Sequence, residues 1–153
     1  MFSREAYKMP RHYTGRKPRR DPNATVFVFK VSLMGNKDIW RRIAIRSDQT
    51  LDHLHAVIYR AFDRDDEHLY SFYTLFPGEK RWANPRNGVE YTSPIEIKGA
   101  ISFKREPVRN AGKTTIGSLG LTRRAKLRYL FDFGDEWWHI LVVEETDGKP
   151  GPG

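Results

Sequence analysis

Three histidines and two aspartates are the residues of this chain best suited to chemistry: His55, His68, His139, Asp132 and Asp135. Imidazoles and carboxylates that share a cleft can bind a divalent metal ion or transfer protons. Arg41 and Arg42 would line the same cleft. The chain has no unequivocal nucleophile and no metal-ligand spacing. We therefore assign no catalytic residue, metal ligand or cofactor, and a divalent metal stays an alternative.

The same polar groups also have a structural interpretation. Asp135 would order a turn, His139 would hydrogen-bond across two strands, and Arg41 would pair with Asp132. Aromatic residues leave a similar choice open. Trp40 and Trp137 are candidate binding residues because indoles stack on bases or ligands, whereas aromatic residues in strands are more often part of a core.

The elements that must position these residues follow from periodicity. Alternating apolar residues predict strands over 25–33 and 39–45, joined by a turn over 35–38. Thr50 and its neighbours favour the start of a helix over 51–62, with Leu51, Leu54 and Ile58 on the apolar stripe. On that helix His55 should face the core or a cleft, and His53 should be solvated.

A third strand is predicted over 68–76. Residues 77–113 carry the weakest pattern, and strand-like pieces at 95–97 and 101–104 suggest a small hairpin. One short helical turn is predicted at 115–119. The sequence therefore predicts an α+β domain that has an antiparallel or mixed sheet and one principal helix, opening β-β-α and closing with a long hairpin.

The closing hairpin comprises residues 126–133 and 136–145, with a two-residue loop at Gly134-Asp135. That loop places Phe131 opposite Trp138 and Leu130 opposite His139. One face should then be core, made of Leu127, Tyr129, Phe131, Trp138, Ile140 and Val142. The other face should be mixed and should carry Arg128, Leu130, Asp132, Trp137, His139 and Leu141.

Charge is concentrated at the N-terminus. The 153-residue chain has a net charge of +8, and residues 1–24 hold seven basic and two acidic side chains. We interpret residues 1–24 as a basic, disordered arm, residues 25–146 as the domain and residues 147–153 as a disordered tail. The arm's candidate binding residues are Arg16, Lys17, Arg19 and Arg20. No apolar run approaches the roughly 20 residues that cross a bilayer. The chain also has no cysteine, so we expect a cytoplasmic protein with no membrane partner.

Four motifs in a fixed order are distinctive as a set. They are Ile39-Trp40-Arg41-Arg42, Thr50-Leu51-x-x-Leu54-His55, His68-Leu69-x-x-Phe72 and Tyr129-x-Phe131-Asp132-Phe133-Gly134-Asp135-x-Trp137-x-His139-x-x-x-Val143-Glu144. In these motifs the chain resembles the plasmid pRiA4b Orf-three-like family over about residues 25–145. The resemblance implies a compact α+β domain from bacterial plasmids, chromosomes or insertion sequences, and it implies no particular activity. The chain departs from the family at Asp63-Arg64, where relatives often have glycine-tryptophan, and residues 92–113 look longer than usual.

Three functions remain open. The first is a non-enzymatic binding module that serves a mobile element, with nucleic acid as the favoured partner through the basic arm. The second is a small metal-assisted hydrolase built on His55, His68, Asp132 and His139. The third is a domain that binds a mobile-element or host protein. The sequence does not indicate an oligomeric state.

Overall fold

The chain first forms an antiparallel hairpin. The structure, a computed structural model, describes residues 20–82, 84, 86–97 and 107–148. Strand β1 spans Val26–Leu33 and strand β2 spans Asn36–Arg46. Their turn is Met34-Gly35 and not the predicted 35–38, because Gly35 adopts a φ of 98° and pairing resumes at once between Leu33 and Asn36.

Helix α1 spans Leu51–Ala61, and the Thr50 side chain caps it by accepting a hydrogen bond of 3.1 Å from the backbone N–H of His53. The predicted apolar stripe is buried, since Leu51 and Leu54 are 0% exposed. His55 faces the core, as predicted. His53 is half-buried and not solvated, and this burial lowers the pKa of its imidazole.

Five strands that follow α1 in the sequence complete the sheet. They are β3 (Tyr70–Thr74), β4 (Val89–Thr92), β5 (Val108–Asn110), β6 (Lys126–Phe131) and β7 (Trp137–Gly148). The strand order is β2-β1-β7-β6-β3-β4-β5, and β4–β5 is a parallel pair in an otherwise antiparallel arrangement. The predicted α+β class, with a mixed sheet and one helix, is therefore confirmed. The predicted helical turn is the 3-10 turn Gly117–Leu119.

The weakly patterned stretch before β6 differs from the prediction. Ile95 and Glu96 lie in a turn, where their backbone N–H groups bond to the hydroxyl and carbonyl of Ser93, so residues 95–97 do not form the predicted strand. The other predicted piece, 101–104, lies outside the described residues. The strands among the described residues of this region are β4 and β5, of which β4 adds to the edge of β3.

We call the side of the sheet that packs against α1 the inner face, and the opposite side the outer face. The inner face supplies most of the core, together with the helix. Its buried side chains are Phe27, Phe29, Val31, Ile43, Ile45, Tyr70, Phe72, Leu127, Tyr129, Phe131, Leu141 and Val143. Each fully buried residue of this size contributes about 1.5–3 kcal/mol of transfer free energy, so this layer dominates the stability of the fold. No helix within the described ranges is long and apolar enough to cross a membrane.

The closing hairpin has a register one residue away from the predicted one. Tyr129 pairs with His139, and Phe131 pairs with Trp137. The loop spans 132–136 and is not the two-residue Gly134-Asp135 loop. Asp132 has a φ of 64° and donates its backbone N–H to Leu69 of the segment before β3, which removes it from the hairpin ladder. Because strand side chains alternate, this slip exchanges the faces of all β7 residues.

Two consequences of the slip correct the predicted faces. His139 lies on the inner face and is 0% exposed, where the mixed face was expected. Trp138, predicted to be core, is half-buried on the outer face, where its ring centroid is 5.6 Å from that of Tyr73.

Candidate functional site

A connected series of buried polar side chains, which we call the polar network, crosses the core beneath α1. The Asp52 carboxylate accepts a short hydrogen bond from the Tyr70 hydroxyl, and the His55 ring stacks on Tyr70 with centroids 3.8 Å apart. His55 Nδ1 is 2.6 Å from the Tyr129 hydroxyl, and His139 Nδ1 is 3.3 Å from the Tyr129 carbonyl. All five residues are at least 97% buried.

The polar network reaches the surface at Arg64, whose Nη2 lies 3.2 Å from His139 Nε2. Because arginine can only donate, His139 Nε2 accepts this bond, and the ring proton on Nδ1 is donated to the Tyr129 carbonyl. The imidazole is therefore neutral. Burial, followed by the charge of Arg64, lowers the pKa of His139 to about 4.

Arg64 is held between two aromatic rings. Its guanidinium carbon is 5.1 Å from the Phe131 centroid and 5.2 Å from the Trp137 centroid. Trp137 is 46% exposed, so one of the two rings beside this cation is at the surface. Burial lowers the pKa of Arg64. Acidic residues 63 and 65–67 surround Arg64 in the sequence, which makes this part of the surface unfavourable for an anion.

The five candidate cleft residues are therefore divided. His55 and His139 are joined through Tyr129 inside the core. His68 lies at the surface and pairs with Asp132 across 3.6 Å, and Asp135 is exposed in the loop. Within the ranges that the structure describes, no group of three or more His, Cys, Asp or Glu side chains is arranged to hold a metal ion.

The structure can be compared with three of the predicted structural roles. His139 bonds across strands to the Tyr129 carbonyl, as predicted. Asp132, and not Asp135, orders the loop, because its Oδ1 accepts the backbone N–H groups of residues 134 and 135 at 3.0 and 3.3 Å. Arg41 does not pair with Asp132, since its Nε donates to the Ala61 carbonyl at the end of α1 at 2.9 Å.

Replacing Tyr129 with phenylalanine is expected to lower the free energy of unfolding by about 1–3 kcal/mol, because His55 Nδ1 loses its hydroxyl partner inside the core. Urea unfolding monitored by circular dichroism measures the change. Tyr91→Phe is the matched control, since the Tyr91 hydroxyl makes no hydrogen bond with the described residues and its loss should cost little. Equal losses in the two variants would contradict the role of the hydroxyl.

The outer face carries cationic and aromatic side chains in two rows. Strand pairing aligns Arg42, Lys30, Val142 and Lys126 in one row across β2, β1, β7 and β6. The next row holds Trp40, Ser32, Ile140 and Arg128. We call these the cationic row and the aromatic row. Because neighbouring strands are about 4.8 Å apart, each row is about 14 Å long.

Trp40 is the exposed aromatic ring of this surface. Its indole is 39% exposed, with Lys30 Nζ 4.9 Å and the Arg42 guanidinium carbon 5.6 Å from its centroid. Arg42 also donates two hydrogen bonds to Glu144, at 3.1 and 3.3 Å. The predicted binding residues Trp40 and Arg42 therefore lie together, whereas Arg41 and Trp137 belong to the inner side. Arg20 is exposed, and residues 16, 17 and 19 lie outside the described residues.

A cavity of about 290 Å³ opens at the end of the sheet, between the β1–β2 turn and the β6–β7 loop. It is lined by residues 33–36 and 135–138. Periodicity did not predict this cavity, the buried Asp52 or the role of Arg64. Asp52 lies beside the apolar stripe of the helix, and it is buried because Tyr70 of β3 reaches it.

Comparison with known proteins agrees with this architecture. An uncharacterized protein, y4hQ, of Sinorhizobium fredii is 28% identical over 140 residues, which cover 84% of this chain and 60% of the relative. The chain thus spans less than two thirds of that relative's length. A crystal structure of a protein of unknown function, MM3350, from Methanosarcina mazei Go1 matches with a TM-score of 0.64 at 22% identity, over 85% of this chain and 65% of that one. The second match shows a shared fold.

The sequence profile of the plasmid pRiA4b ORF-3-like proteins matches residues 25–151, which include every strand and the helix. The match also includes the motifs that supply His55, the β6–β7 loop and His139. The chain therefore belongs to the plasmid pRiA4b ORF-3-like family.

Proposed function

We propose that this protein is a non-enzymatic, cytoplasmic binding module that contacts single-stranded nucleic acid through the outer face of its sheet. The observation that carries the proposal is the exposed Trp40 indole beside the neighbouring cations Lys30 and Arg42. An exposed ring stacks on a base, and flanking cations attract the phosphates. The family's name records a plasmid protein, which is in keeping with service to a mobile element.

The burial of the polar network supports a non-enzymatic role. His55 and His139 are fully buried and bonded to Tyr129, so a substrate in solvent does not reach either ring. His68 and Asp132 remain at the surface as one pair. By contrast, Lys30, Trp40, Arg42 and Lys126 are all exposed on the outer face and can contact a ligand without rearrangement of the core.

The basic arm adds long-range attraction in this proposal. Seven cations within residues 1–24 raise the local concentration of a polyanion and contribute salt-dependent affinity without sequence preference. The arm and the outer face therefore make separable contributions, one electrostatic and one through stacking.

The proposal is tested by fluorescence anisotropy with labelled single-stranded DNA and RNA of about 12 nucleotides, and with the corresponding duplex, in about 50 mM salt. Trp40→Ala is expected to weaken single-strand binding about 5- to 150-fold, because stacking on one base contributes about 1–3 kcal/mol. The slope of log affinity against log salt should stay unchanged, since no charge is removed.

Ile39→Ala is the matched control, because Ile39 is also 39% exposed but points to the opposite face of β2. Lys126→Gln should reduce the salt slope by about 0.7, the value for one phosphate contact on a single strand. Absence of single-strand binding by the full chain, or equal losses for Trp40→Ala and Ile39→Ala, would refute the proposal.

A further inference from the structure

Arg128 has an unusual environment on the outer face. Among the residues that the structure describes, its solvent-shielded Nε has no hydrogen-bond partner, and Nη1 bonds to the Met34 sulfur at 3.6 Å. The guanidinium carbon lies 5.0 Å from the centroid of the Trp82 ring. Within the part of the chain that the structure describes, Arg128 forms no salt bridge, and desolvation is what lowers its pKa.

A half-buried cation usually has a carboxylate partner, because burial removes part of its hydration. Here a ring and a thioether fix the guanidinium in one orientation but supply no negative charge. Nη2 makes no hydrogen bond with the described residues and is not among the shielded atoms. A fixed guanidinium with an unused donor is suited to an oxyanion, because it loses little conformational entropy on binding.

Arg128 also occupies a defined place on the proposed binding surface. It ends the aromatic row that begins at Trp40, three strand spacings or about 14 Å away. Trp82 next to it provides a second indole at this end of the row. Lys126, two residues earlier on β6, points to the same face and ends the cationic row.

From this geometry we infer that Arg128, held against Trp82, is a phosphate-binding subsite. On the proposed function, on which this part of the inference rests, the phosphate belongs to the backbone of the single strand whose base stacks on Trp40. The strand then runs across the β-strands, from β2 to β6, and contacts both ends of the aromatic row.

Two measurements test the subsite. The first is titration of the full chain with inorganic phosphate, followed by NMR of the Arg128 Nε–H and the Trp82 indole N–H. Both signals should shift together in a saturable way. The second is the affinity of Arg128→Gln for the oligonucleotide, which should fall about tenfold with a decrease in salt slope of about 0.7.

Arg123→Gln is the matched control, since Arg123 is exposed and lies outside both rows. Arg128→Lys should keep the slope of log affinity against log salt concentration, because the charge is retained. It should bind the oligonucleotide more weakly than the wild type, because lysine lacks the planar contact with Trp82. Thermal unfolding shows whether each variant is folded. The phosphate titration on the wild-type chain tests the subsite without any substitution.

The outcomes separate the two proposals. Oligonucleotide binding that depends on Trp40 but is equal in Arg128→Gln and Arg123→Gln, with no phosphate-induced shift, overturns the subsite and leaves the proposed function standing. A saturable phosphate shift without oligonucleotide binding overturns the proposed function and supports the subsite, with free phosphate as the ligand. Loss of both signals overturns both.

Discussion

Lowering the pH from 6.5 to about 4 is expected to reduce the free energy of unfolding by about 3 kcal/mol through His139 alone. The imidazole has a pKa of about 4 in the folded protein and the ordinary value of 6.5 when unfolded. Between these values the unfolded state binds a proton that the folded state does not. Acidification therefore favours unfolding, and above about pH 7.5, where the unfolded imidazole is also neutral, His139 causes no further change.

Urea unfolding at several pH values between 4 and 7.5 measures this loss. His53, whose pKa is also lowered by burial, changes the stability in the same direction, so variants are needed to isolate His139. His139→Gln should flatten the profile by about 3 kcal/mol relative to the wild type, whatever its stability at neutral pH. His68→Gln, which changes an exposed imidazole, should keep the His139 contribution.

A profile that is equally steep in wild type and His139→Gln would contradict the assignment of a neutral, buried His139. NMR titration of the His139 ring gives an independent measurement that does not require a substitution. The ring should remain neutral, with its proton on Nδ1, well below pH 6.5.

Gly88→Ala is expected to lower the free energy of unfolding by about 2–4 kcal/mol. Gly88 has a φ of 158°, and a Cβ there would be 2.2 Å from the backbone carbonyl oxygen of Thr74 and 2.9 Å from the Trp82 ring. The Thr74 carbonyl belongs to β3 and cannot move without disturbing its pairing with β4. Displacement of Trp82 would also disturb the ring against which Arg128 lies.

Gly78→Ala is the control for backbone strain. Gly78 also has a positive φ, of 84°, but none of the described residues has an atom within 4 Å of the position of its Cβ. We expect a loss of about 1–2 kcal/mol in this variant, from the left-handed conformation alone. Chemical denaturation of both variants measures the difference, and equal losses would show that the Thr74 carbonyl relaxes without cost.

Periodicity was sufficient for the parts of the fold in which one face is clearly apolar. It placed β1, β2, α1 and the last two strands, and it directed His55 into the core. It failed where a single backbone conformation decides the outcome. Asp132 and Glu136 both have a positive φ, of 64° and 55°, and the five-residue loop that they bound shifts the register of β7 and reverses the environment of His139.

The candidate site was less predictable than the fold. Both Asp132 and Asp135 are acceptable loop residues, so composition does not tell which of them orders the loop. Arg64 is bound to His139 only because the tertiary structure brings the segment after α1 over the start of β7. The approach of Lys30 and Arg42 to Trp40 follows from the observed β1–β2 register, which the predicted turn over 35–38 would have shifted by one residue.

The place of β7 in the sheet has a consequence for synthesis. β7 is the last strand of the described residues, yet it lies between β1 and β6 and joins the N-terminal hairpin to the rest of the sheet. On the ribosome, β1 therefore waits with one edge unpaired until residues 137–148 have emerged. Such a late, long-range closure is slow, and unpaired edges invite pairing with other chains. The nascent chain, and not the finished domain, is thus the form most exposed to aggregation and most dependent on chaperones.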